Sequence, residues 1–168
     1  MRGPLHFAVC IALVVLSDQA SKWWIVTHFS LYESLPVVPG FLNLTYLTNT
    51  GAAFGLLAGQ PALWRQVFFV GIALAALGVI FFIYLRLRRD SFFYELSLAL
   101  IAGGALGNLI DRIRFGAVID FLDVYVGTYH WPAFNIADSA ITVGVTIFLV
   151  YSFFFEKKEM STPRNLNP

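Results

Sequence analysis

The sequence predicts an all-α membrane protein with four transmembrane helices, and two observations lead to that prediction. The 168 residues are 58% hydrophobic, 17% aromatic and only 12% charged, with a mean hydropathy of +0.73, which is far from the balance of a soluble domain. Several segments are also apolar over the roughly 20 residues that a helix needs to cross about 30 Å of hydrocarbon. There are four such spans, which we expect to form one domain: residues 5–26, 62–85, 91–110 and 136–155.

The basic residues predict how the spans are oriented. An even number of spans places both termini on one side of the membrane, and most of the Lys and Arg residues fall on that side, in the short second loop and in the tail 156–168. Because Lys and Arg concentrate in cytoplasmic segments, we expect both termini in the cytoplasm. The loops 27–61 and 111–135 are then outside. All four Trp residues fall at the outer ends of the spans, as in an interfacial aromatic belt.

The two outer loops differ from ordinary connectors. The first contains "LNLTYLT", in which apolar and polar residues alternate, followed by the turn signal "NTG". This pattern predicts a small β-sheet lying on the membrane surface. The second loop, "RFGAVIDFLDVYVGTYHWPAF", is rich in apolar and aromatic residues, which predicts a segment half sunk in the interface.

The first span carries a charged pair near its outer end. Asp18 and Lys22 are four residues apart, so they share a helix face in the favourable order for an ion pair. One interpretation is a self-neutralising pair that reaches toward the interface; the other is a pair that positions a substrate or its lipid. A Ser/Lys catalytic dyad is disfavoured, because Ser21 faces away from Lys22 and Ser17 is five residues back.

The third span ends in "GGALGNLIDR". Gly103 and Gly107 form a G-x-x-x-G face that predicts close helix packing. A second stripe follows at i, i+4 spacing: Gly104, Asn108 and Arg112. Packing does not account for the polar cluster of Asn108, Asp111 and Arg112 at the end of a span, although an Asp and Arg that merely pair at the interface remain an alternative.

Two acids, Asp120 and Asp138, are the strongest candidates for chemistry. Asp138 has a simple alternative explanation as a helix-capping acid, with Asn135 as the N-cap. Asp120, however, is embedded in the apolar segment "AVIDFL", where no cap is needed. Two carboxylates in a poorly hydrated place cannot both ionise, so one holds a proton while the other acts as a base. Such a pair can activate a water for attack on a peptide carbonyl and protonate the leaving amine.

Other chemistries find little support. The three histidines, His6, His28 and His130, show no metal-ligand spacing, and the single cysteine, Cys10, allows no internal disulfide. A formal charge of +1 provides no basic face for nucleic acid. The main rival function is a small proton-coupled carrier or channel subunit, since intramembrane acids also relay protons. That function needs polar residues along the whole span, whereas here they crowd at the outer ends and the opposite halves look apolar.

In their order along the chain, five motifs closely resemble those of the lipoprotein signal peptidases, or signal peptidase II, of bacteria. They are "DQASK" from Asp18, "NTGAAFG" from Asn49, "GGALGNLIDR" from Gly103, "VIDF" from Val118 and "FNIADSAI" from Phe134. The resemblance implies an intramembrane aspartic endopeptidase that removes the signal peptide of a prolipoprotein immediately before its diacylglyceryl-modified cysteine. A presenilin-like protease fits less well, because the chain lacks the G-x-G-D motif and has too few spans.

The resemblance also implies roles for individual residues. Asp120 and Asp138 look like the catalytic pair, and Asp111 looks structural. The substrate-binding or supporting positions are Asp18, Lys22, Asn49, Gly51, Gly104, Asn108, Arg112 and Asn135. No metal or organic cofactor is implied. The expected partners are the lipidated prolipoprotein and membrane lipids, with the protein monomeric in the bacterial cytoplasmic (inner) membrane and its site toward the periplasmic leaflet.

Overall fold

A computed structural model describes residues 4–51, 61–87 and 91–154 of the protein. Within them lie four helices that are long and apolar enough to cross a membrane. They are α1 (Pro4–His28), α2 (Ala62–Leu87), α3 (Phe92–Phe115) and α4 (Ile136–Phe154). The predicted tail 156–168 and residue 155 of the fourth span are outside the described residues.

The third helix is longer than the sequence predicted. It was expected to end at residue 110, but it continues to Phe115, so Asp111 and Arg112 are helical. Gly116 ends the helix in a left-handed conformation, with φ of 70°, and its N–H donates to the carbonyl of Arg112 at 3.0 Å. This is the usual glycine C-cap.

The helix α3 is the centre of the helical part, because it packs against α1, α2 and α4. Glycines permit the close approach. A Cβ on Gly103 would meet Val14 of α1, and one on Gly104 would meet the backbone carbonyl of Ala137 in α4. The packing role predicted for the G-x-x-x-G face is therefore confirmed, with α1 as its partner.

Toward the ends of the helices that lie away from the sheet, a hydrophobic core fills the space between α1, α2 and α3. Phe7 stacks on Tyr84 with the ring centroids 3.8 Å apart. The buried members of this core are Phe7, Ile80, Tyr84, Leu98, Ala99 and Ala102. Most of the large apolar side chains on the outer faces of the helices are exposed, as expected of surfaces that face lipid.

Both predicted outer loops contribute strands to the sheet. Its four strands are antiparallel in the order β1 (Ser34–Val38), β2 (Leu42–Asn49), β3 (Val118–Val126) and β4 (Tyr129–His130). The sequence predicted strands in the first loop only, whereas β3 and β4 come from the second. Both β1 and β2 contain an irregularity in register, the second lying between Leu44 and Leu47.

Candidate active site

The fold brings Asp120 and Asp138 together through two short connections. Only Gly116 and Ala117 separate α3 from β3, so Asp120 lies close to the end of α3. The chain then returns along β3. Phe134 forms a bridge with Leu122, and its N–H donates to the carbonyl of Leu122 at 3.1 Å. The first turn of α4, which carries Asp138, is thereby held beside Asp120.

Two Asn side chains connect the two acids. Asn135 Nδ2 donates to Asp120 Oδ1 at 2.8 Å, and Asn108 Nδ2 donates to Asp138 Oδ1 at 2.8 Å. Asn135 Nδ2 also donates to Asn108 Oδ1 at 3.2 Å, which closes a chain of amides between the carboxylates. Asp120, Asn108 and Asn135 are buried, while Asp138 is partly exposed. The acids therefore share one polar network that is reached from the Asp138 side.

The capping explanation for Asp138 is also confirmed. Its N–H donates to Asn135 Oδ1 at 2.9 Å, and the N–H of Asn135 donates to Asp138 Oδ2 at 3.3 Å. This reciprocal pair is a capping box built from Asn and Asp. Because the cap uses Oδ2 and the Asn108 amide uses Oδ1, the carboxylate of Asp138 is fixed in orientation.

The surroundings of Asp120 disfavour its charged form. Burial and the neighbouring carboxylate of Asp138 raise the pKa of Asp120 to about 6, against the opposing effect of hydrogen bonds from Asn49 and Asn135 and of the Lys22 cation. Asp120 therefore retains its proton at a pH where an ordinary aspartic acid has lost it. This is the behaviour expected of one member of an acid–base pair.

Asn49 reaches Asp120 because of the strand register. Asn49 pairs with Val118, and Leu47 pairs with Asp120, so the side chains of Asn49 and Asp120 are diagonal neighbours on one face of the sheet. Asn49 Oδ1 also accepts a hydrogen bond from the N–H of Gly51 at 2.9 Å. Gly51 has a φ of 95°, which favours glycine, and residues 52–55 of the same motif are outside the described residues.

Beneath this network lies a buried ion triad. Lys22 Nζ is 2.8 Å from Asp18 Oδ2 and 2.7 Å from Asp111 Oδ2, and it donates to Asn108 Oδ1 at 3.0 Å. The predicted Asp18 and Lys22 pair is confirmed, but the pair does not extend to the interface, because Lys22 is only 2% exposed. The alternative in which Asp111 simply pairs with Arg112 is wrong, since Lys22 is the cation that Asp111 contacts.

The triad also anchors the backbone that carries the two candidate catalytic acids. Asp111 Oδ2 accepts from the N–H of Ile119, next to Asp120, at 3.2 Å. Asp18 Oδ1 accepts from the N–H of Ala137, next to Asp138, at 2.9 Å. Each acid of the triad therefore holds the residue adjacent to one member of the pair.

Arg112 lies at the edge of the site. Its guanidinium is over the ring of Phe69 at 5.5 Å from the centroid, and its Nη1 donates to the carbonyl of Asn108 at 3.4 Å. Asp138, Asp120 and Asp111 are within electrostatic reach of this cation. Arg112 thus contributes positive charge beside the two carboxylates, and among the described residues its guanidinium forms no salt bridge.

Comparison with known proteins gives this arrangement a context. The family model described as signal peptidase (SPase) II matches residues 10–154. The chain belongs to the signal peptidase II family. That membership and the four apolar helices make it a multi-pass membrane protein. The chain is 53% identical to the lipoprotein signal peptidase of Syntrophus aciditrophicus over 162 residues, which are 96% of this chain and all of that one.

Other relatives extend the likeness. The lipoprotein signal peptidase of Yersinia enterocolitica is 47% identical over 141 residues, 84% of this chain and 82% of that protein. Among solved structures, a bacterial membrane enzyme determined by the in meso method at 1.9 Å matches with a TM-score of 0.78 and 34% identity, over 89% of this chain and 94% of the other. A second such structure, determined at 2.3 Å, has the same TM-score and 32% identity, over 97% and 94%.

Two residues of this family member were missed in the sequence. Gln19 Nε2 donates to Asp111 Oδ1 at 2.9 Å and to Asp18 Oδ2 at 3.2 Å, so it bridges the two acids of the triad. Its position next to Asp18 in "DQASK" was the available signal. Glu95 is 6% exposed in the first turn of α3, and its Oε1 has no hydrogen-bond partner among the described residues. The expectation that the opposite halves of the spans are apolar is therefore wrong at Glu95.

Proposed function

We propose that this chain is an aspartic endopeptidase that removes signal peptides from prolipoproteins, cleaving immediately before the diacylglyceryl-modified cysteine. Asp120 and Asp138 activate the attacking water. The observation that supports this assignment most directly is the amide network, in which Asn108 and Asn135 each hold one of the two carboxylates and contact each other. Membership in a family whose members are named lipoprotein signal peptidases supplies the substrate class.

The proposed reaction uses one ionised and one protonated carboxyl group. Ionised Asp138, the more exposed acid, removes a proton from a water, and the water oxygen bonds to the carbonyl carbon of the scissile peptide. Protonated Asp120 donates its proton to the carbonyl oxygen, which gives a neutral tetrahedral diol. The diol then collapses: the C–N bond breaks, Asp138 delivers its proton to the leaving nitrogen, and Asp120 regains the proton of the diol hydroxyl. No covalent intermediate forms, and the proton count is restored.

The surrounding polar groups have supporting roles in this proposal. Asn108 and Asn135 each donate a side-chain hydrogen bond to one of the two carboxylates and so fix its orientation for the reaction. Arg112 adds a positive charge that stabilises the developing negative charge on the carbonyl oxygen. In this proposal the buried triad of Asp18, Lys22 and Asp111 supports the backbone that carries the two acids.

We further propose that both termini are cytoplasmic and that the site opens to the periplasmic leaflet of the bacterial inner membrane. The distribution of Lys and Arg supports this orientation. A peptide bond beside a lipidated cysteine lies at the membrane interface, and the candidate site lies where the spans meet the sheet. Acyl chains of the substrate would occupy apolar surface between spans. The protein acts as a single domain and a monomer in this proposal.

The carrier or channel alternative is less well supported. It needs a polar route along the helices, and Glu95 and Ser97 are buried polar residues in the other half of α3. Between Ser97 and Asn108, however, the buried side of α3 consists of apolar residues and glycine. These are Leu98, Ala99, Ala102, Gly103, Gly104 and Gly107. Nothing in that stretch relays a proton.

Cleavage of a purified lipidated precursor in detergent micelles tests the proposal. The precursor without its diacylglyceryl group and the precursor with its cysteine replaced by serine are the matched controls. We expect cleavage of the lipidated form only, with a new amino terminus at the modified cysteine. Equal cleavage of the unlipidated precursor, or a cut elsewhere in the chain, would contradict the proposed specificity.

A further inference from the structure

Phe69 of α2 contacts two parts of the candidate site, although it belongs to none of the five motifs. One face of its ring lies under the guanidinium of Arg112, with 5.5 Å between the guanidinium carbon and the ring centroid. Its ring atoms also lie so close to Gly51 that any Cβ at that position would collide with them. Phe69 therefore contacts both the Gly51 turn and the Arg112 side chain.

Arg112 needs such a contact to have a defined position. In the described part of the chain its guanidinium forms no salt bridge, and its hydrogen bond is a long one of 3.4 Å to a carbonyl of its own helix. A long, flexible side chain held by one weak hydrogen bond retains much of its conformational freedom. A cation–π contact restricts that freedom.

The same face of α2 also holds the backbone of Arg112. Gln66 is one helical turn before Phe69, and its Nε2 donates to the carbonyl of Arg112 at 3.0 Å. The carbonyl is thus fixed by Gln66 and the guanidinium by Phe69. Residues on adjacent turns of one helix thus contact both the backbone carbonyl and the guanidinium of Arg112.

The Phe69 ring also packs against the Gly51 turn, which is linked to Asp120. The N–H of Gly51 donates to Asn49 Oδ1, and the side chain of Asn49 in turn forms a hydrogen bond with Asp120. A smaller side chain at position 69 would leave the Gly51 backbone without its closest described neighbour on that side. Phe69 thus contacts Arg112 and Gly51 directly and is linked to Asp120 through Gly51 and Asn49.

We propose that Phe69 is a positioning residue for peptide cleavage, which holds the Arg112 cation toward the reacting carbonyl and the Asn49 to Gly51 turn against Asp120. This inference rests on the proposed function. Phe69 does not itself touch the scissile bond. Its effect should therefore fall on kcat more than on KM, since the arrangement that it fixes matters most when charge develops on the carbonyl oxygen.

The test compares three variants in the cleavage assay with lipidated precursor. Phe69→Leu keeps an apolar side chain but removes the ring face, and Phe69→Tyr keeps the ring. Phe68→Leu is the matched control, because Phe68 is the adjacent residue of the same type and is 44% exposed. Its ring packs edge-on against Phe69 with the centroids 5.3 Å apart, so this control shows the effect of repacking beside Phe69 while the Phe69 ring is kept. Rates are expressed per folded molecule, and Phe69→Met serves as the ringless variant if Phe69→Leu does not fold.

We expect Phe69→Leu to lower kcat about 2- to 30-fold, the rate equivalent of a cation–π contact, with KM changed less than about twofold. Phe69→Tyr should recover most of the rate, and Phe68→Leu should match the unchanged protein. A Phe69→Leu rate equal to that of Phe68→Leu would overturn the inference.

A double-mutant comparison separates positioning from general packing. If Phe69 acts through Arg112, Phe69→Leu should cost much less in an Arg112→Gln background than in the unchanged protein. The same fold loss in both backgrounds would show that Phe69 does not act through Arg112, and would overturn its proposed positioning of that cation. Cleavage by the unchanged protein and by Phe68→Leu establishes the peptidase function separately, so loss of the inference and loss of the function are distinguished.

Discussion

Asp120→Asn should make the protein more stable at pH 8, even though it removes a proposed catalytic acid. The folded state raises the pKa of Asp120 from 3.8 to about 6, mainly because the carboxylate is buried. A group with a raised pKa contributes its full stability below its unfolded pKa, and this contribution is lost as the pH rises through the folded pKa. Above about pH 6 the folded protein therefore carries the cost of an ionised, buried Asp120.

The size of this cost follows from the shift. A difference of about two pKa units corresponds to about 3 kcal/mol of unfolding free energy. Asn at position 120 carries no charge, so this cost disappears, and its Oδ1 can still accept the hydrogen bond from Asn135. The variant loses the hydrogen bond with Asn49, which is worth about 1 kcal/mol. The net expectation is a gain of about 2 kcal/mol at pH 8 and no gain below about pH 4.

Unfolding in mixed detergent micelles at pH 8 and at pH 4, followed by far-ultraviolet circular dichroism, measures the effect. Asp123→Asn on the same strand is the matched control, because that carboxylate accepts from Asn43 at 2.8 Å and is 2.7 Å from His130 Nδ1. We expect the control to be neutral or destabilising at both pH values. If Asp120→Asn is no more stable than the unchanged protein at pH 8, or if its gain is the same at both pH values, the electrostatic explanation is refuted.

Three further outcomes are expected. Lys22→Met should lower the free energy of unfolding by about 3 to 5 kcal/mol, since it leaves two buried carboxylates without their cation. Adding Asp18→Asn and Asp111→Asn to Lys22→Met should recover part of that loss. A Lys22→Met variant as stable as the unchanged protein would contradict the triad. Gly107→Ala should cost about 1 to 3 kcal/mol, because a Cβ there would lie 2.6 Å from Asp18 Oδ2. Gly78→Ala, in open space on α2, should be neutral or stabilising, and equal effects of the two glycine variants would count against the close contact. The kcat/KM for cleavage should fall as the pH rises through about 6, where Asp120 loses its proton, and a flat profile from pH 5 to 8 would argue against Asp120 as the acid.

The helices could be predicted from the sequence because lipid-facing surface requires a long run of apolar residues. The end of α3 was the exception. Asp111 and Arg112 have the polarity of loop residues, yet both are helical. The ion contact of Asp111 with Lys22 and the packing of Arg112 on Phe69 compensate for their charges. Such compensation comes from other helices, so the local sequence does not reveal it.

The strand β3 was missed for a related reason. Its first residues, Val118 to Phe121, are all buried, so the segment lacks the alternation of a half-exposed strand. The candidate acids themselves were identified, since Asp120 stands out in an apolar segment. What the sequence did not contain was the geometry that connects them. The amide chain through Asn108 and Asn135 depends on the packing of α3 against α4 and on the return of the chain along β3.

The proposed pair of Asp120 and Asp138 is tested most directly by the rate of lipidated precursor cleavage in Asp120→Asn and Asp138→Asn, with Asp123→Asn as the control. Each of the first two variants should remain folded and lose at least about a thousandfold in kcat, because Asp120→Asn has no acid to protonate the carbonyl oxygen and Asp138→Asn has no base to activate the water. The control should cleave at close to the rate of the unchanged protein. Full activity in folded Asp120→Asn or folded Asp138→Asn would contradict the paired-acid mechanism.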